Sequence, residues 1–453
     1  MQLMKQRSIQ IFGAGLCGSL LSIILARRGF DITVYERQKD SRRADTSAGR
    51  SINLAMSARG IRALKHAEIF SRVEPLLVSM RGRFVHHEDG ATELQEYGQR
   101  PDEQIYSVSR AELNRILLCT AENDHGVEIR FEHEAIALES DGVRVANLDA
   151  RSDLVVSDTP VIAADGAGSV FRRALHESGT IKTTEALLGH SYRELTIPAG
   201  PGGTFELEPG ALHIWPRGGF MLIALPNPGG DFTLTLFLPN DGPHSFSKLQ
   251  TENEIETFFE SHFADVRSLL PDLVETFQRS PVGVLGTVRC EGWHDEGRVL
   301  LIGDAAHAVV PFHGQGMNLA FEDCVLLDQT LDEQDLSWAD VFARFESRQV
   351  ANANAIADMA LENYIEMRDT VRNPKYILQK QLAFELERRL PSRFIPRYSM
   401  VMFHAEIPYA TAQKRGTIQS ELLDELTRDA DDLGQIDIDA AEREASSRLT
   451  SLS

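Results

Sequence analysis

The feature that most constrains this chain is a glycine-rich turn between two apolar strands near its start. Residues 8–12 (SIQIF) are apolar and largely β-branched, as a buried parallel strand should be. The turn GAGLCG follows at residues 13–18, and then come an apolar helix pattern closed by Gly29 and a second strand ending in Glu36. Strand, G-x-G-x-x-G turn, helix, strand and acid in this order predict a dinucleotide-binding βαβ unit.

Each position of this turn has a physical role in such a unit. Gly13 permits the tight turn, Gly15 lets the backbone approach a pyrophosphate, and Gly18 lets helix and strand pack closely. The helix that starts at Leu16 offers unpaired N–H groups to the phosphates. Glu36 follows at the distance expected of an acid that binds the ribose hydroxyls of an adenosine. The unit by itself leaves FAD and NAD as alternatives.

Two later segments repeat the combination of an apolar strand and a turn with glycine and acid. Residues 161–172 (VIAADGAGSVFR) place Asp165 after a strand, and residues 299–304 (VLLIGD) place Asp304 after another. An isolated Asp-Gly turn is common in proteins of any function. However, the carboxyl ends of strands in a doubly wound sheet share one edge, where ligands bind. The three turns are therefore predicted to converge on one long ligand.

Composition and charge narrow the class of protein. With 453 residues the chain has room for two or three domains, and its net charge of −21 argues against a nucleic-acid partner. No apolar run approaches the roughly 18 residues of a membrane span, and no signal peptide is visible. The four cysteines lie far apart, without CxxC or CxxH spacing, which argues against a zinc site and a disulfide framework. These properties predict a cytoplasmic enzyme.

Together the three turns resemble those of a known family. A glycine-rich βαβ turn, an Asp-Gly turn with Ser and Arg, and the late segment GDAAH…PFHGQGMN (303–318) resemble the group A flavoprotein monooxygenases. The resemblance implies FAD, with Asp304 on a ribityl hydroxyl, Pro311 shaping the bend, and residues 314–318 against the isoalloxazine ring. A metal site at His307 and His313 is a poor alternative, because no acid is placed as a third ligand.

Seven segments narrow the resemblance further, and they follow one another in order along nearly the whole chain. They are GRSINLAMSARG (49–60), MRGRFVH (80–86), YSVSRAELNRILL (106–118), ALHIWPRGGFMLIALPN (211–227), VPFHGQGMN (310–318), MALENYIEM (359–367) and RFIPRYSM (393–400). Together they are similar to the kynurenine 3-monooxygenase family, especially its soluble bacterial forms. The resemblance implies hydroxylation of L-kynurenine to 3-hydroxykynurenine with FAD, NADPH and O₂ through a flavin C4a-hydroperoxide, a step of tryptophan degradation.

The resemblance also implies individual site residues. Arg83 would pair with the substrate carboxylate, Tyr97 and Tyr398 would hydrogen-bond the same carboxylate, and Asn363 would contact the amino-acid end; Arg81 is the alternative anchor. Near the flavin ring it implies Phe312, His313 and Gln315. The residues implied to bind the cofactor are Gly13, Gly15, Leu16, Gly18, Glu36, Arg37, Arg110, Asp165, Asp304, Gly316, Met317 and Asn318.

The physical chemistry of these residues agrees with that substrate. A zwitterionic amino acid with an aryl ketone needs a charge-assisted anchor at one end, and a guanidinium with two phenol donors supplies it. Met359, Asn363, Glu366 and Met367 recur at helical spacing and so share one face, an unusual mixture for pure core. In such an enzyme the flavin cofactor carries out the redox and oxygen-transfer steps, so we expect no protein nucleophile and no metal.

For the architecture we expect an α/β fold with a doubly wound parallel sheet. A discontinuous FAD-binding domain spans 1–180 and 285–345, a β-rich substrate domain spans 181–284, and a helical part, 346–453, caps the substrate pocket. The acidic end, residues 421–444, is interpreted as a solvated helical face or loose tail and argues against a membrane anchor. The sequence leaves a homodimer open.

Two rival interpretations remain at this point. One is a related FAD-dependent hydroxylase or halogenase that acts on another aryl amine or aromatic acid, although the tryptophan-rich signature of the halogenases is not evident. The other is a non-catalytic dinucleotide-fold protein that binds a partner chain. The intact GDAAH and HGQGMN segments argue against the second, because a protein without flavin has no need of them.

Overall fold

The computed structural model describes residues 7–43, 53–156 and 160–452. The beginning of the GRSINLAMSARG segment therefore lies outside the described residues. The chain forms two compact units. The first unit consists of Met1–Leu77, Val108–Leu187 and Gly286–Ala357, and the second unit of Val78–Ser107, Leu188–Leu285 and Asp358–Ser453.

Strands and helices of the described residues follow one another along the whole chain. The strands are β1 (Ser8–Phe12), β2 (Asp31–Glu36), β3 (Asn53–Met56), β4 (Val78–Met80), β5 (Gly82–His86), β6 (Thr92–Glu96), β7 (Ile105–Ser109), β8 (Glu128–Phe131), β9 (His133–Glu139), β10 (Gly142–Asn147), β11 (Ser152–Val156), β12 (Val161–Ala163), β13 (Lys182–Ile197), β14 (Leu212–Pro216), β15 (Met221–Pro226), β16 (Phe232–Pro239), β17 (Gly283–Glu291), β18 (His294–Asp295) and β19 (Val299–Leu301). The helices are α1 (Leu16–Arg27), α2 (Ala58–His66), α3 (Phe70–Val73), α4 (Arg110–His125), α5 (Val170–Glu177), α6 (Glu252–His262), α7 (Ala264–Arg267), α8 (Leu273–Arg279), α9 (Asp304–His307), α10 (Gly316–Leu331), α11 (Trp338–Arg368), α12 (Pro374–Arg389), α13 (Arg397–Met402), α14 (Tyr409–Thr427) and α15 (Ile438–Arg448).

A six-stranded sheet organises the first unit, in the order β18-β19-β12-β1-β2-β8. Strands β19, β12, β1, β2 and β8 are parallel, and β18 pairs antiparallel with β19. Ile11 at the centre of the sheet lies opposite Val34 on one side and Ile162 on the other, and all three are buried. Continuous apolar strands of this kind are typical of parallel sheets. The predicted doubly wound α/β fold is confirmed.

Local sequence signals set the helices of this unit. α1 is apolar around its whole circumference and packs against α4 and α10, so its residues from Leu20 to Leu25 are buried. α4 begins at Ser109, whose side chain accepts a hydrogen bond from the Glu112 N–H, and ends at Gly126 in the left-handed conformation. These helices fix the ends of the strands that carry the three glycine turns.

A mixed sheet organises the second unit, in the order β17-β13-β16-β15-β14-β5-β6. β14 runs parallel to β5 and places Leu212 opposite Arg83, whereas β15 and β16 form an antiparallel meander with β14. A core of leucine and phenylalanine side chains joins the sheet to α6, α7 and α8, and it includes the fully buried Trp215, Phe259 and Phe277. The predicted strands in 211–239 are present as β14, β15 and β16.

The carboxyl-terminal helices of the second unit have an apolar core of their own. Leu382 and Leu386 of α12 pack with Leu422 of α14 and with Ala441 and Ala445 of α15. The region is packed and is not a loose tail: its exposed acids are Glu421, Asp424 and Glu425 on α14, Asp439 on α15, and Asp429, Asp431, Asp432 and Asp437 in the segment between the two helices. Among the helices of the described residues, none combines the length and the apolar character that crossing a bilayer requires.

The boundaries of the two compact units differ from those of the predicted domains. Residues 78–107 belong to the second unit because β5 pairs with β14 of its sheet. The strands of 188–285 and the helices from 358 onward also fall into one unit, which the sequence had divided into a β-rich and a helical part. Strand pairing between distant segments decides these boundaries, and composition along the chain does not reveal it.

Candidate functional site

The three turns with glycine and acid lie side by side at one edge of the first unit's sheet. β1, β12 and β19 are neighbouring parallel strands, so their carboxyl ends share that edge. The Ala164 N–H donates to the Phe12 carbonyl oxygen at 2.8 Å, and the Ile302 N–H donates to the Ala163 carbonyl oxygen at 3.0 Å. The chain segments that follow the three strands therefore begin next to one another, as the sequence predicted.

The glycines of the first turn differ in what surrounds them. Gly13 has a φ of +103°, and a Cβ there would collide with the Ala164 backbone. At Gly18 a Cβ would run into the Gly13 carbonyl and lie 3.3 Å from a methyl group of Ile11. Gly15 has an ordinary φ of −71°, and a Cβ there would meet no protein atom within 4 Å. Folding therefore requires Gly13 and Gly18, whereas only an approaching ligand gives a reason for Gly15.

Glu36 and the start of α1 complete the first turn. The carboxylate of Glu36 accepts hydrogen bonds from the Ala14 N–H at 2.8 Å and the Gln38 N–H at 2.9 Å, which holds the end of β2 against the turn. The first bond within α1 runs from the Ser19 N–H to the Gly15 carbonyl, so the N–H groups from Leu16 onward point out of the helix start. Such a helix start attracts a phosphate.

The second turn is built around Asp165. One carboxylate oxygen accepts a hydrogen bond from the Val170 N–H at 2.8 Å, while the other is buried and has no hydrogen-bond partner among the described residues. Burial raises the pKa of Asp165 above its ordinary value. The nearby Arg172 donates to the Ala305 carbonyl oxygen at 3.0 Å and so ties the second turn to the third. Asp165 has an acceptor atom to offer to a ligand hydroxyl.

The third turn exposes Asp304 and rests on a buried polar network. The Asp323 carboxylate accepts hydrogen bonds from the Gly303 N–H at 3.0 Å and from Gln349 Nε2 at 2.7 Å, and it lies 2.7 Å from His307 Nε2. Burial alone would lower the pKa of His307, but the Asp323 carboxylate raises it above the ordinary value. His307 thus supports the turn. In the described parts of the chain, no group of three metal-ligating side chains is present.

The start of α10 is held in place by Asn318. Its side-chain amide donates to the Ala55 carbonyl oxygen at 2.9 Å and to the Gly314 carbonyl oxygen at 2.8 Å, and its Oδ1 accepts from the Ser57 N–H at 3.0 Å. The side chain of Asn318 is therefore committed to the fold, and any contact with a ligand falls to its backbone. The backbone N–H groups of Gly316, Met317 and Asn318 form the first turn of α10.

The remaining cofactor residues lie on the same unit. Arg110 is the first residue of α4, one helical turn before Asn114, whose side chain donates to the Ala14 carbonyl oxygen at 3.2 Å. Arg37 follows β2 and is exposed. Phe312 and His313 are buried in a short 3₁₀ turn, and Gln315 is buried beside it. Their contacts with a cofactor remain predictions.

The second unit contains a separate polar cluster, which we call the anchor cluster: Arg83, Tyr97, Asn363, Glu366, Tyr376, Lys380 and Tyr398. Arg83 on β5 is buried, and it donates to Glu366 Oε1 at 2.7 Å and to Asn363 Oδ1 at 3.2 Å. The rings of Tyr97 and Tyr398 stack with centroids 5.1 Å apart, and the guanidinium lies 5.8 Å and 5.3 Å from them. All four residues predicted to bind the substrate are therefore brought together.

Neighbouring charges and burial shift the pKa values of the side chains in the anchor cluster. Burial would raise the pKa of Glu366, but the Arg83 guanidinium and the Tyr376 hydroxyl, which donates to Glu366 Oε1 at 2.8 Å, hold that pKa below its ordinary value. Burial raises the pKa of Tyr97 and of Tyr398, so both hydroxyls stay protonated as donors. The cluster thus presents a fixed cation and phenol hydroxyls, a combination of groups that can bind a carboxylate.

Arg81 is distinguished from Arg83 by its surroundings. It lies between β4 and β5 instead of within a strand, its side chain is exposed, and its backbone pairs with Gly210 and Tyr97. A carboxylate anchor needs a guanidinium held in a fixed position with its water removed. The structure favours Arg83 for this role.

Comparison with known proteins decides the family. The FAD binding domain family matches residues 6–340. The kynurenine 3-monooxygenase of Stenotrophomonas maltophilia (strain K279a) is 47% identical over 446 residues, which cover 98% of this chain and 97% of that protein. The chain belongs to the kynurenine 3-monooxygenase family. The member from Myxococcus xanthus (strain DK1622) is 44% identical over 448 residues, covering 98% of this chain and 96% of that protein. The family predicted from the sequence, and its FAD-binding domain, are confirmed.

Solved structures show the same fold at greater distance. The tetrameric form of 2-methyl-3-hydroxypyridine-5-carboxylic acid oxygenase aligns with a TM-score of 0.66 at 20% identity, over 82% of this chain and 95% of that one. The structure of PqsL from P. aeruginosa with 2-aminobenzoylacetate aligns with a TM-score of 0.64 at 20% identity, over 80% of this chain and 96% of that one. At 20% identity, the similarity to these two structures shows a shared fold and nothing more.

Sequence reasoning missed several residues of these sites. Asp323 and Gln349 support the third turn, Asn114 supports the first, and Tyr376 and Lys380 belong to the anchor cluster. The sequence held a signal for three of them. Tyr376 and Lys380 are four residues apart on α12 and so share a face. The signal for Asp323 is that an acid stands on an otherwise apolar face of α10.

Proposed function

We propose that this protein is a flavin-dependent monooxygenase that hydroxylates L-kynurenine to 3-hydroxykynurenine with NADPH and O₂. The observation that carries the proposal is the buried Arg83 held against two tyrosines, in a chain that belongs to the kynurenine 3-monooxygenase family. The arrangement suits the carboxylate of an amino acid. The guanidinium can donate charge-assisted hydrogen bonds to that carboxylate, and the two phenol hydroxyls can donate neutral ones. FAD, when bound, supplies the redox and oxygen chemistry.

The residues of this chain then have positioning tasks. At the sheet edge the N–H groups at the starts of α1 and α10 would bind the pyrophosphate and the polar edge of the flavin, and Asp304 and Asp165 would accept hydrogen bonds from ligand hydroxyls. In the anchor cluster Arg83, Tyr97 and Tyr398 would fix the substrate carboxylate, and Asn363 would contact the amino-acid end. A substrate held at its charged end has its aromatic ring limited to a small range of positions, which is the main contribution that binding makes to the rate.

One experiment tests the proposal directly. NADPH consumption under air is measured with the purified flavoprotein, with and without L-kynurenine, and the product is identified by mass spectrometry. We expect L-kynurenine to stimulate consumption and to gain one oxygen atom. Consumption that ignores kynurenine would exclude this substrate. The same assay with other aryl amines and aromatic acids would then identify a related hydroxylase.

Other parts of the expected biology belong to this proposal. NADPH as the reductant, a cytoplasmic location and the absence of a nucleic-acid partner are expected from the sequence, which leaves a homodimer open. Cys17, Cys119, Cys290 and Cys324 are free thiols, as suits a reducing compartment. Gel filtration and a comparison of NADPH with NADH in the same assay address the oligomeric state and the nicotinamide preference.

Lys380 gives the anchor cluster a pH dependence. Burial and the neighbouring charge of Arg83 lower the pKa of Lys380 to about 8, and its ammonium donates to the Glu96 carbonyl oxygen at 2.6 Å. Below pH 8 the cluster carries this second cation, which attracts the substrate carboxylate. Above pH 8 it is lost. We therefore expect kcat/KM for L-kynurenine to fall as the pH rises from 7.5 to 9.

The matched variant for this prediction is Lys380→Arg. Arginine remains charged throughout the range, so the fall attributable to residue 380 should disappear, while effects of the substrate ammonium and the flavin persist in both proteins. The measurement is the ratio of kcat/KM between the two proteins at each pH. A constant ratio would contradict the role of Lys380.

A further inference from the structure

Two of the four free thiols face each other within the first unit. Cys17 is the second residue of α1 and lies inside the GAGLCG turn, and Cys324 lies on α10, which packs against α1. Their Sγ atoms are 3.9 Å apart, although 307 positions separate the two residues in the chain. Neither thiol belongs to the residues proposed to bind FAD or the substrate.

The thiol pair lies against two of the turns that are proposed to bind FAD. The Cys324 thiol donates hydrogen bonds to the carbonyl oxygens of Ala320 at 3.2 Å and of Cys17 at 3.5 Å. Thiols are weak donors, so these bonds do not hold the sulfur firmly. In the third turn, a Cβ on Gly303 would lie 3.1 Å from Cys17 Sγ. A movement of Cys17 therefore acts on the first turn through its own backbone and on the third turn through Gly303.

The two thiols differ in exposure and in the ease with which they react. Cys17 is half-buried and accessible to a small oxidant, whereas Cys324 is fully buried behind it. The hydrogen bond with Cys324 and burial raise the pKa of Cys17 well above its ordinary value, and the charges of Asp323 and Asp304 act in the same direction. Little thiolate is present at neutral pH, so the pair reacts slowly and responds to sustained exposure to an oxidant.

We propose that hydrogen peroxide joins Cys17 and Cys324 by a disulfide, and that this disulfide weakens the binding of FAD. The Cys17 thiolate attacks one oxygen of the peroxide, the O–O bond breaks, and a sulfenic acid and, after protonation, one water are formed. The Cys324 sulfur gives up its proton and attacks the Cys17 sulfur, so that the S–O bond breaks and a second water leaves. Two thiols are oxidised, and one peroxide is reduced to two molecules of water.

The disulfide requires the two sulfur atoms to come closer together. An S–S bond is about 2.05 Å long, so the present separation of 3.9 Å must shrink by nearly half. The cysteine side chain is short, and Cys17 lies at the helix start whose N–H groups would bind the pyrophosphate. Part of the movement therefore reaches those N–H groups. We expect FAD affinity to fall about tenfold, which is within the usual range of coupling between two sites of one protein.

Peroxide treatment of the FAD-loaded enzyme tests the proposal. The holoenzyme is incubated with hydrogen peroxide, catalase removes the excess, and digestion without reductant followed by mass spectrometry identifies the joined peptides. The FAD retained after repeated dilution and ultrafiltration gives its dissociation constant. We expect a disulfide between Cys17 and Cys324 and a dissociation constant raised about tenfold. Dithiothreitol should restore both the thiols and the original affinity.

Serine variants separate this pair from the other thiols. Cys17→Ser and Cys324→Ser should each abolish the disulfide and the loss of FAD that peroxide causes. Cys119→Ser is the matched control, because Cys119 is half-buried like Cys17 and lies on α4 of the same unit. It should respond to peroxide as the unaltered protein does.

Thiols that persist at Cys17 and Cys324 after peroxide treatment would overturn the proposal, and so would disulfides that join either residue to another cysteine. A disulfide between the two that leaves FAD affinity unchanged would contradict the coupling to the cofactor. A loss of FAD that persists in Cys324→Ser, or that dithiothreitol does not reverse, would assign the loss to another oxidised group. None of these measurements involves the substrate, so they stand apart from the outcome of the kynurenine assay.

Discussion

Replacing Arg83 with alanine is expected to raise the KM for L-kynurenine at least a hundredfold while the purified protein keeps its FAD. The guanidinium is buried, and its removal takes away the charged donor for the substrate carboxylate and leaves Glu366 without its cation. Removing one partner of a buried, hydrogen-bonded charge pair between a protein and its ligand costs about 3 kcal/mol of binding free energy, which corresponds to roughly a hundredfold in affinity. Steady-state kinetics and the flavin absorbance of the purified variant measure the two parts of this prediction.

Arg81→Ala is the matched control. Arg81 is two residues away and exposed, so its removal should change the KM by less than about threefold, in keeping with the small effects of most surface substitutions. A large effect at Arg81 with none at Arg83 would reverse the assignment of the anchor. Loss of FAD from the Arg83 variant would show instead that this residue supports the fold.

Much of the first unit could be predicted from the sequence because its signals are local. A buried parallel strand is a short apolar run, a tight turn needs glycine, and a helix start follows within a few residues. The rule that parallel strands end at one edge then placed Gly13, Asp165 and Asp304 together, although they are far apart in the chain. β1, β12 and β19 are indeed adjacent.

The anchor cluster was predictable only in part, for a physical reason. Its members come from β5, from the residue after β6, and from α11, α12 and α13, and the Arg83–Glu366 pair joins residues 283 positions apart. No local pattern encodes such a contact. The family resemblance supplied Arg83, Tyr97, Asn363 and Tyr398. Tyr376 and Lys380 share a face of α12, but only the position of α12 in the fold shows that this face lies against Arg83.

The same limit applies to residues that hold a site without touching a ligand. Asn318 was predicted as a cofactor contact, and its side chain proved to be committed to Ala55, Ser57 and Gly314. A residue that binds the ligand and a residue that supports the site look the same in a sequence, because both roles require a particular polar side chain. The two roles are distinguished only by the hydrogen-bond partners of the side chain in the folded structure.

Gly15→Val is expected to give a folded protein that does not retain FAD. The backbone of Gly15 is in an extended conformation that any residue adopts, and no protein atom lies within 4 Å of the position of a Cβ. Folding should therefore proceed normally. The added side chain would occupy the space in which the pyrophosphate approaches the start of α1, and we expect FAD affinity to fall more than about a hundredfold, or roughly 3 kcal/mol. Flavin absorbance after gel filtration measures the loss, and circular dichroism verifies the fold.

Gly189→Val is the control for this substitution, because Gly189 in β13 is equally open and a Cβ there also meets no atom within 4 Å. The control variant should be purified with its full complement of FAD. Both substitutions add the same apolar side chain at a sterically open glycine, so a difference in bound flavin isolates the approach of the ligand to Gly15. If the Gly15 variant kept its FAD, the phosphates could not lie against the first turn, and the cofactor would have to bind elsewhere on the sheet edge.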